Sequence, residues 1–360
     1  MGSSARILVM LPSWLGDTVM ATPSVRLLRD SVGQSVIVAL CKPGLDDLLA
    51  GWEALDDVMI ADAHGMTGKA RLAGRLKAMK FDAALLLPNS FSSAATIRLA
   101  GIPLRCGYDR DGRGLLLTHK LDPPRRHHPH KGYAPISAVD YYLRLTRHLL
   151  EALGVAPAPV RPRLELAVRD DQEALGMTVL SRGGIGPDEP FALLNPGGNN
   201  PLKRWPVERF AAVAHHLIEK HRLKVALNGS PPEADLVLAI RHAIELNHPE
   251  DGASIAALPL LGGTVGSLKA IVRRARLVVT NDTGPRHVAA AFGVRCVTLF
   301  GPTDPRWTTL PEPVPSRETI FVADPSLPAD EIADDHPQRC RIEKIRVSDV
   351  TAAIDRLLNA

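Results

Sequence analysis

Four cysteines stand in 360 residues, at positions 41, 106, 296 and 340, and no two share a C-x-x-C or zinc-ligand spacing. That excludes a disulfide framework and a cysteine-based zinc module, and it points to a reducing compartment. Long hydrophobic runs are also missing. Stretches such as Ala83–Pro88 fall far short of the about 20 residues a membrane span needs. The start, Met1 to Arg6, leads straight into an apolar strand with no charged and then long apolar leader, so a cytoplasmic chain without a signal peptide is expected. Charge of one sign is scarce too. The net charge of +4, 43 basic residues against 39 acidic, is too small to argue for nucleic-acid binding. The chain has no G-x-x-x-x-G-K-[ST] loop, no G-x-G-x-x-G after a strand and no G-x-S-x-G elbow.

What is present is ordinary globular material, 45% hydrophobic and 23% charged, long enough for two domains. Short apolar runs alternate with amphipathic stretches. Arg6–Leu11 reads as a strand, followed after a turn by helical spacing through Val19, Val25, Leu27 and Leu28. Ser35–Leu40, Phe81–Leu87, Phe191–Asn195, Lys224–Leu227, Leu277–Thr280 and Val294–Phe300 repeat the strand pattern between helical segments. Such alternation predicts an α/β protein with parallel sheets covered on both faces. Gly154–Pro162, with prolines at 157, 159 and 162, predicts a stiff linker. The resulting expectation is two Rossmann-like domains facing a central cleft, residues 1–160 and 161–345, with a last helix in 346–360.

Three strand-to-helix turns hold the chemistry, because open α/β sheets bind ligands at the carboxyl ends of their strands. In Pro12–Thr18, Gly16 permits an unusual backbone angle or close approach, and Asp17 stands at or beside a helix N-cap, as a cap or a proton acceptor. In Asn195–Pro206, Lys203 and Arg204 precede a helix, where the macrodipole disfavours cations, so either an anionic ligand or a solvated basic pair accounts for them. In Thr280–His287, Asp282, Thr283 and Gly284 open an Ala-rich helix, a place for a diphosphate on backbone N–H groups or for simple capping. His287 follows in the first turn. Residues 105–131 carry seven basic residues against three aspartates, an excess as large as that of the whole chain, and four histidines. Arg125, Arg126 and Lys131 are accordingly predicted to face an anionic partner. Asp109-Arg-Asp111 has the form of a metal-binding D-x-D, and His127-His-Pro-His130 that of a metal tract, but neither has a supporting cluster, so no metal is expected.

The order of these motifs resembles the lipopolysaccharide heptosyltransferase family over nearly the whole chain. Pro12-Ser-Trp-Leu-Gly-Asp-Thr-Val-Met-Ala21, in its Pro-Ser-Trp version, is similar to the type II subgroup, as are Leu87-Pro-Asn-Ser-Phe-Ser-Ser93 and Ala100-Gly-Ile-Pro103. Lys203-Arg-Trp-Pro206, Thr280-Asn-Asp-Thr-Gly284 with His287, and Leu299-Phe-Gly-Pro-Thr303 match the family's second half. The resemblance implies a GT-B fold whose last helix crosses back to the first domain. It implies inverting transfer of heptose from an ADP-heptose to a Kdo-bearing, lipid A-anchored acceptor at the inner membrane surface, without metal or other cofactor.

By position, the resemblance makes Asp17 the base and Lys203 a catalytic contact to the donor phosphates. It assigns Arg204, Glu233, Asp282, Thr283, Gly284 and His287 to the donor, with Glu233 near the ribose. It assigns Ser13, Trp14, Gly16, Asn89 and Ser90 to the acceptor. Asn199-Asn-Pro201 and Pro285-Arg286 depart from the type II pattern. Another nucleotide sugar or acceptor, a nucleotide-sugar epimerase and a binding-only protein remain the alternatives.

Overall fold

The computed structural model describes residues 5–63, 65–126, 132–311 and 317–359. The chain divides into two compact units, Met1–Ala167 with Arg306–Thr309, and Val168–Pro305 with Leu310–Ala360. The division falls a few residues beyond the 160/161 boundary expected from the proline-rich stretch.

In the first unit the order is β1 Arg6–Met10, α1 Leu15–Met20, α2 Thr22–Val32, β2 Val36–Cys41, α3 Leu45–Leu49, β3 Asp57–Ile60 and α4 Gly65–Ala78. It continues with β4 Ala83–Leu86, α5 Phe91–Leu99, β5 Leu104–Tyr108, β6 His119–Leu121 and α6 Ala138–Ala152. The strands pair in parallel in the order β3-β2-β1-β4-β5-β6. β1 and β4 lie centrally, and Ile7–Val9 and Ala83–Leu86 are buried aliphatic residues, as expected of strands covered on both faces. The helical pattern after β1 is broken at Ala21, with Pro23 in the first turn of the second piece.

In the second unit the order is α7 Asp170–Arg182, β7 Phe191–Asn195, α8 Val207–His221, β8 Lys224–Leu227, α9 Ala234–Asn247, β9 Ile255–Ala257 and α10 Val265–Arg274. After these come β10 Leu277–Asn281, α11 Gly284–Ala291, β11 Cys296–Phe300, β12 Glu318–Val322 and α12 Val347–Asn359. The sheet order is β12-β11-β10-β7-β8-β9, again all parallel. Counted within each unit, both sheets run 3-2-1-4-5-6, the Rossmann arrangement, whose switch point lies between the first and fourth strands. α7 packs on α10 at Gly176, where an added Cβ would come within 2.9 Å of the Ala270 Cβ.

The last helix, α12, buries Val350, Ala353 and Ile354 within the second unit, against α8 and the core around Leu217 and Val213. Its apolar stripe is absorbed there. All four cysteines are free and buried. Burial pushes the thiols of Cys41, Cys106 and Cys296 up to about 12, so they are inert structural groups.

Candidate active site

Each unit presents its chemistry beyond the carboxyl ends of its strands. In the first unit β1 ends at Met10, and the chain turns through Pro12 and Ser13 into α1. Trp14 is the N-cap but makes no side-chain cap bond, and Asp17 is the third helical residue. Asp17 therefore stands in the first turn beyond the cap and is not itself the cap. The turn is held instead by the Thr18 hydroxyl, which donates to the Trp14 and Pro12 carbonyls at 3.0 and 3.2 Å. Gly16 is buried as a helical residue outside the left-handed region, so the unusual angle is not needed. Ser13 and Trp14 are exposed, and Lys42 Nζ stands 5.9 Å from the centre of the Trp14 ring. Asp17 faces α6. Burial first, and then the Asp17 charge, pushes the phenol of the buried Tyr142 well above its usual range. The sequence reading did not find Tyr142, because it sits among the apolar positions of an amphipathic helix.

The Pro88–Ser93 turn belongs to the same end of this sheet. The Ser90 hydroxyl caps α5 by accepting from Ser93 N–H, and Asn89 Oδ1 accepts from the Tyr141 hydroxyl at 3.1 Å. Behind them lies Arg113, fully buried, donating to the carbonyls of Pro88 and Tyr108 and to Ser93 Oγ and Asn89 Oδ1. This corrects the reading of residues 105–131 as one anion-facing surface. Arg113 is an internal brace, Arg105 is spent on the carbonyls of Ile102 and Leu116, and Lys120 pairs with Asp109 at 2.7 Å. The Asp109 carboxylate of the D-x-D is thus held by a lysine. Arg125 remains exposed, its guanidinium 5.5 Å from the Tyr133 ring, and Arg126 is half-buried. Lys131 and His127–His130 lie outside the described residues.

In the second unit three loops converge. After β7, Asn195 donates from Nδ2 to Thr283 Oγ1 at 2.8 Å and accepts from Asn228 Nδ2 at 2.7 Å. After β10, Asn281 Nδ2 donates to the carbonyls of Pro196 and Gly197 at 2.7 and 3.1 Å. After β8, Glu233 accepts from Gly198 N–H at 2.7 Å and from the Ser230 N–H and hydroxyl at 2.8 and 2.7 Å. Burial opposes the Glu233 charge, but these hydrogen bonds and the nearby Arg204 outweigh it and hold the carboxyl below its usual range. A Cβ at Gly197 would come within 2.3 Å of Glu233 Oε1, so any other residue there would displace the Glu233 carboxylate. Glu233 thus ties the glycine turn in place. Asn195 and Asn281 are site-building residues that the sequence reading passed over; their signal is an amide at the end of a buried strand, where only a functional or bracing role justifies it.

Lys203 ends a short 3-10 turn, Pro201–Lys203, and its ammonium lies 3.1 Å from Asp282 Oδ2. It is therefore not an unmatched cation at a helix start, as its sequence position implied. Arg204 Nε donates to the Gly198 carbonyl at 2.8 Å. Thr283 is the N-cap of α11 without a side-chain cap bond, its hydroxyl being held by Asn195. Pro285 carries no N–H and the Arg286 N–H donates to the Thr283 carbonyl at 3.2 Å, so it is the Gly284 N–H that keeps its anion-binding capacity at the start of α11. His287 is buried one turn on. Burial first, and then the Arg286 charge, lowers its imidazole to about 3, and its Nδ1 has no hydrogen-bond partner among the described residues. Arg286, a departure from the type II pattern, is fully buried and turned to Glu318 on β12, with Nε at 2.6 Å and Nη2 at 3.1 Å. It braces the sheet edge.

The profile of glycosyltransferase family 9 (heptosyltransferase) matches residues 69–335. The chain belongs to this family of glycosyltransferases. It is 29% identical over 313 residues to lipopolysaccharide heptosyltransferase 2 of Escherichia coli K12, and 30% identical over 312 residues to that of Salmonella typhimurium LT2. Each alignment covers 84% of both chains. The solved structure of the E. coli ADP-heptose LPS heptosyltransferase II superposes with a TM-score of 0.77 at 24% identity, over 98% of each chain. The two Rossmann-type sheets are those of the GT-B fold. Among the described residues no helix is long and apolar enough to cross a membrane.

Proposed function

We propose that this glycosyltransferase moves heptose from ADP-L-glycero-D-manno-heptose onto the heptose/Kdo inner core of a lipid A-anchored lipopolysaccharide, with inversion at the anomeric carbon. The observation that carries the reading is the loop triad of the second unit. There a lysine ammonium and the open N-terminus of α11 stand at adjoining strand ends, braced by Asn195, Asn281 and Glu233. This is the chemistry that neutralises a departing diphosphate. The relatives named heptosyltransferase 2 favour the sugar and the acceptor.

In the reaction Asp17 accepts the proton of the acceptor hydroxyl as its oxygen bonds to the anomeric carbon. The bond from that carbon to the diphosphate oxygen breaks, and its electron pair leaves with ADP. Lys203 and the N–H groups at Thr283–Gly284 stabilise that charge, with Arg204, Glu233, Asp282 and His287 shaping the donor loops. Positive charge on the sugar resembles that of glycoside hydrolysis. Ser13, Trp14, Gly16, Asn89 and Ser90 meet the acceptor sugar. Arg125, Arg126 and Lys131 meet its anionic groups at the cytoplasmic face of the inner membrane.

Mass spectrometry of incubations with isotope-labelled ADP-heptose, with and without heptosyl-Kdo-lipid A, tests the proposal. One labelled heptose added to the acceptor, with ADP released only in its presence, is the expected result. A donor altered without acceptor would instead identify an epimerase, and an unchanged donor in both incubations a binding protein.

A further inference from the structure

The carboxyl end of α8 and the last helix hold a cluster that the transfer reaction does not use. His216 Nε2 stands 2.8 Å and His221 Nε2 2.7 Å from the same oxygen, Oδ1 of Asp355 on α12. All three ligand-competent atoms lie within 4.8 Å of one another, and all three side chains are partly buried. The second carboxylate oxygen, Oδ2, accepts from Lys220 Nζ at 2.7 Å, which fixes the plane of the carboxylate from outside. Two imidazoles and one carboxylate oriented by an outer hydrogen bond make the donor set that first-row divalent cations take.

We propose that His216, His221 and Asp355 bind one divalent transition-metal ion, zinc in preference, with water in the fourth position, fastening α12 to α8. Ligand atoms of a tetrahedral zinc stand about 3.3 Å apart, so each Nε2 needs to draw back from Asp355 Oδ1 by only about half an ångström. The two imidazole planes are inclined at 62° with centroids 5.6 Å apart, which lets both Nε2 lone pairs aim at one point. Binding moves the ring protons from Nε2 to Nδ1, or releases a proton from any imidazolium.

A second histidine pair, formed by the preceding residue of α8, provides the contrast. His215 and His248 lie near Glu250, but their rings stack at 3.4 Å with an interplanar angle of 9°. Stacked rings send their nitrogen lone pairs side by side, not to a common centre. His215 Nδ1 is also held by Asp251 at 2.8 Å. The site lies at the opposite end of α8 from Lys203 and Arg204, about 20 Å along a 15-residue helix. Its role is to secure the last helix of the second unit.

Titration of zinc chloride into the tag-free, chelator-treated full chain by calorimetry, with parallel melting curves, tests the proposal. One equivalent should bind with micromolar affinity and raise Tm, and cobalt should give the visible bands of a tetrahedral N/O site. His216→Ala, and His221→Ala separately, should weaken binding by at least about tenfold while still melting cooperatively without metal. His216→Asn, polar and of smaller volume change, should do the same should the alanine variant fail to fold. The proposal is overturned by an absence of saturable binding at micromolar zinc. Affinity unchanged in the variants, or lost only in His215→Ala/His248→Ala, would also overturn it.

Discussion

The two units share one strand order yet prepare their loops differently. In the second unit the loop ends are braced by strand-end amides and a carboxylate, so the groups proposed to receive phosphate are fixed before any ligand arrives. In the first unit the loop after β1 ends in an exposed Ser13 and Trp14, with a half-buried Asp17 beside α6. The difference suits two tasks. A leaving group whose charge is always the same rewards a rigid cradle, whereas a large glycolipid acceptor needs an open surface next to one proton acceptor.

The largest effect is expected at Asp17. Asp17→Asn keeps the size and polarity of the third residue of α1 but takes up no proton, so kcat should fall by about 10²–10⁴-fold with a normal melting curve. A comparable effect, on stability instead of rate, is expected at the brace between α11 and β12. Removing one partner of a buried ion pair costs about 3–5 kcal/mol, so Glu318→Ala should lower the urea midpoint far more than Glu318→Gln. An unchanged midpoint would show that Arg286 finds another partner.

Next comes Lys203→Ala. The loss of a charged contact to phosphate should lower kcat/KM for the donor about ten- to a hundredfold, and steady-state kinetics at varied ADP-heptose check it. His287 gives an effect that shows only in acid. Its folded pKa of about 3 lies below the unfolded value of 6.5. The unfolded chain therefore takes up a proton first as pH falls. The stability due to neutral His287 is complete above pH 6.5 and is lost towards pH 3, at up to about 1.4 kcal/mol per pH unit. Denaturant curves of His287→Gln should show a shallower acid decline, and an identical slope would contradict the burial argument. The smallest effect is expected from Arg125→Ser/Arg126→Ser. Acceptor KM should rise severalfold at low salt and converge with the parent value at high salt, because most of the other charge in 105–122 is already paired or buried.

The central strands and most helices were legible because burial on both faces writes continuous apolar runs. Phe191–Asn195 and Lys224–Leu227 coincide with their strands residue for residue. The edge strands Asp57–Ile60 and Glu318–Val322 were not legible, since each buries little of its surface and so lacks the apolar run. Helix Asp170–Arg182 was passed over for a related reason. The face it turns into the unit starts with Gln172 and Gly176, and only Val179 and Leu180 at its end are large apolar residues.

In the site, motif residues were readable by type but not by partner. Lys203 read as unmatched because Asp282 is 79 residues away. Arg113 read as surface charge because two of its acceptors are main-chain carbonyls, which leave no trace in a side-chain pattern, and the other two, Ser93 and Asn89, are neutral side chains 20 and 24 residues away.

Titrating ADP into the Asp17→Asn protein, alongside its turnover, tests the division of labour between the units most directly. The account predicts an ADP Kd within about threefold of the parent value, since the phosphate contacts lie in the second unit, together with at least about a hundredfold loss of kcat. A variant that keeps more than about a tenth of parental turnover, or that loses ADP affinity in step with turnover, would contradict it.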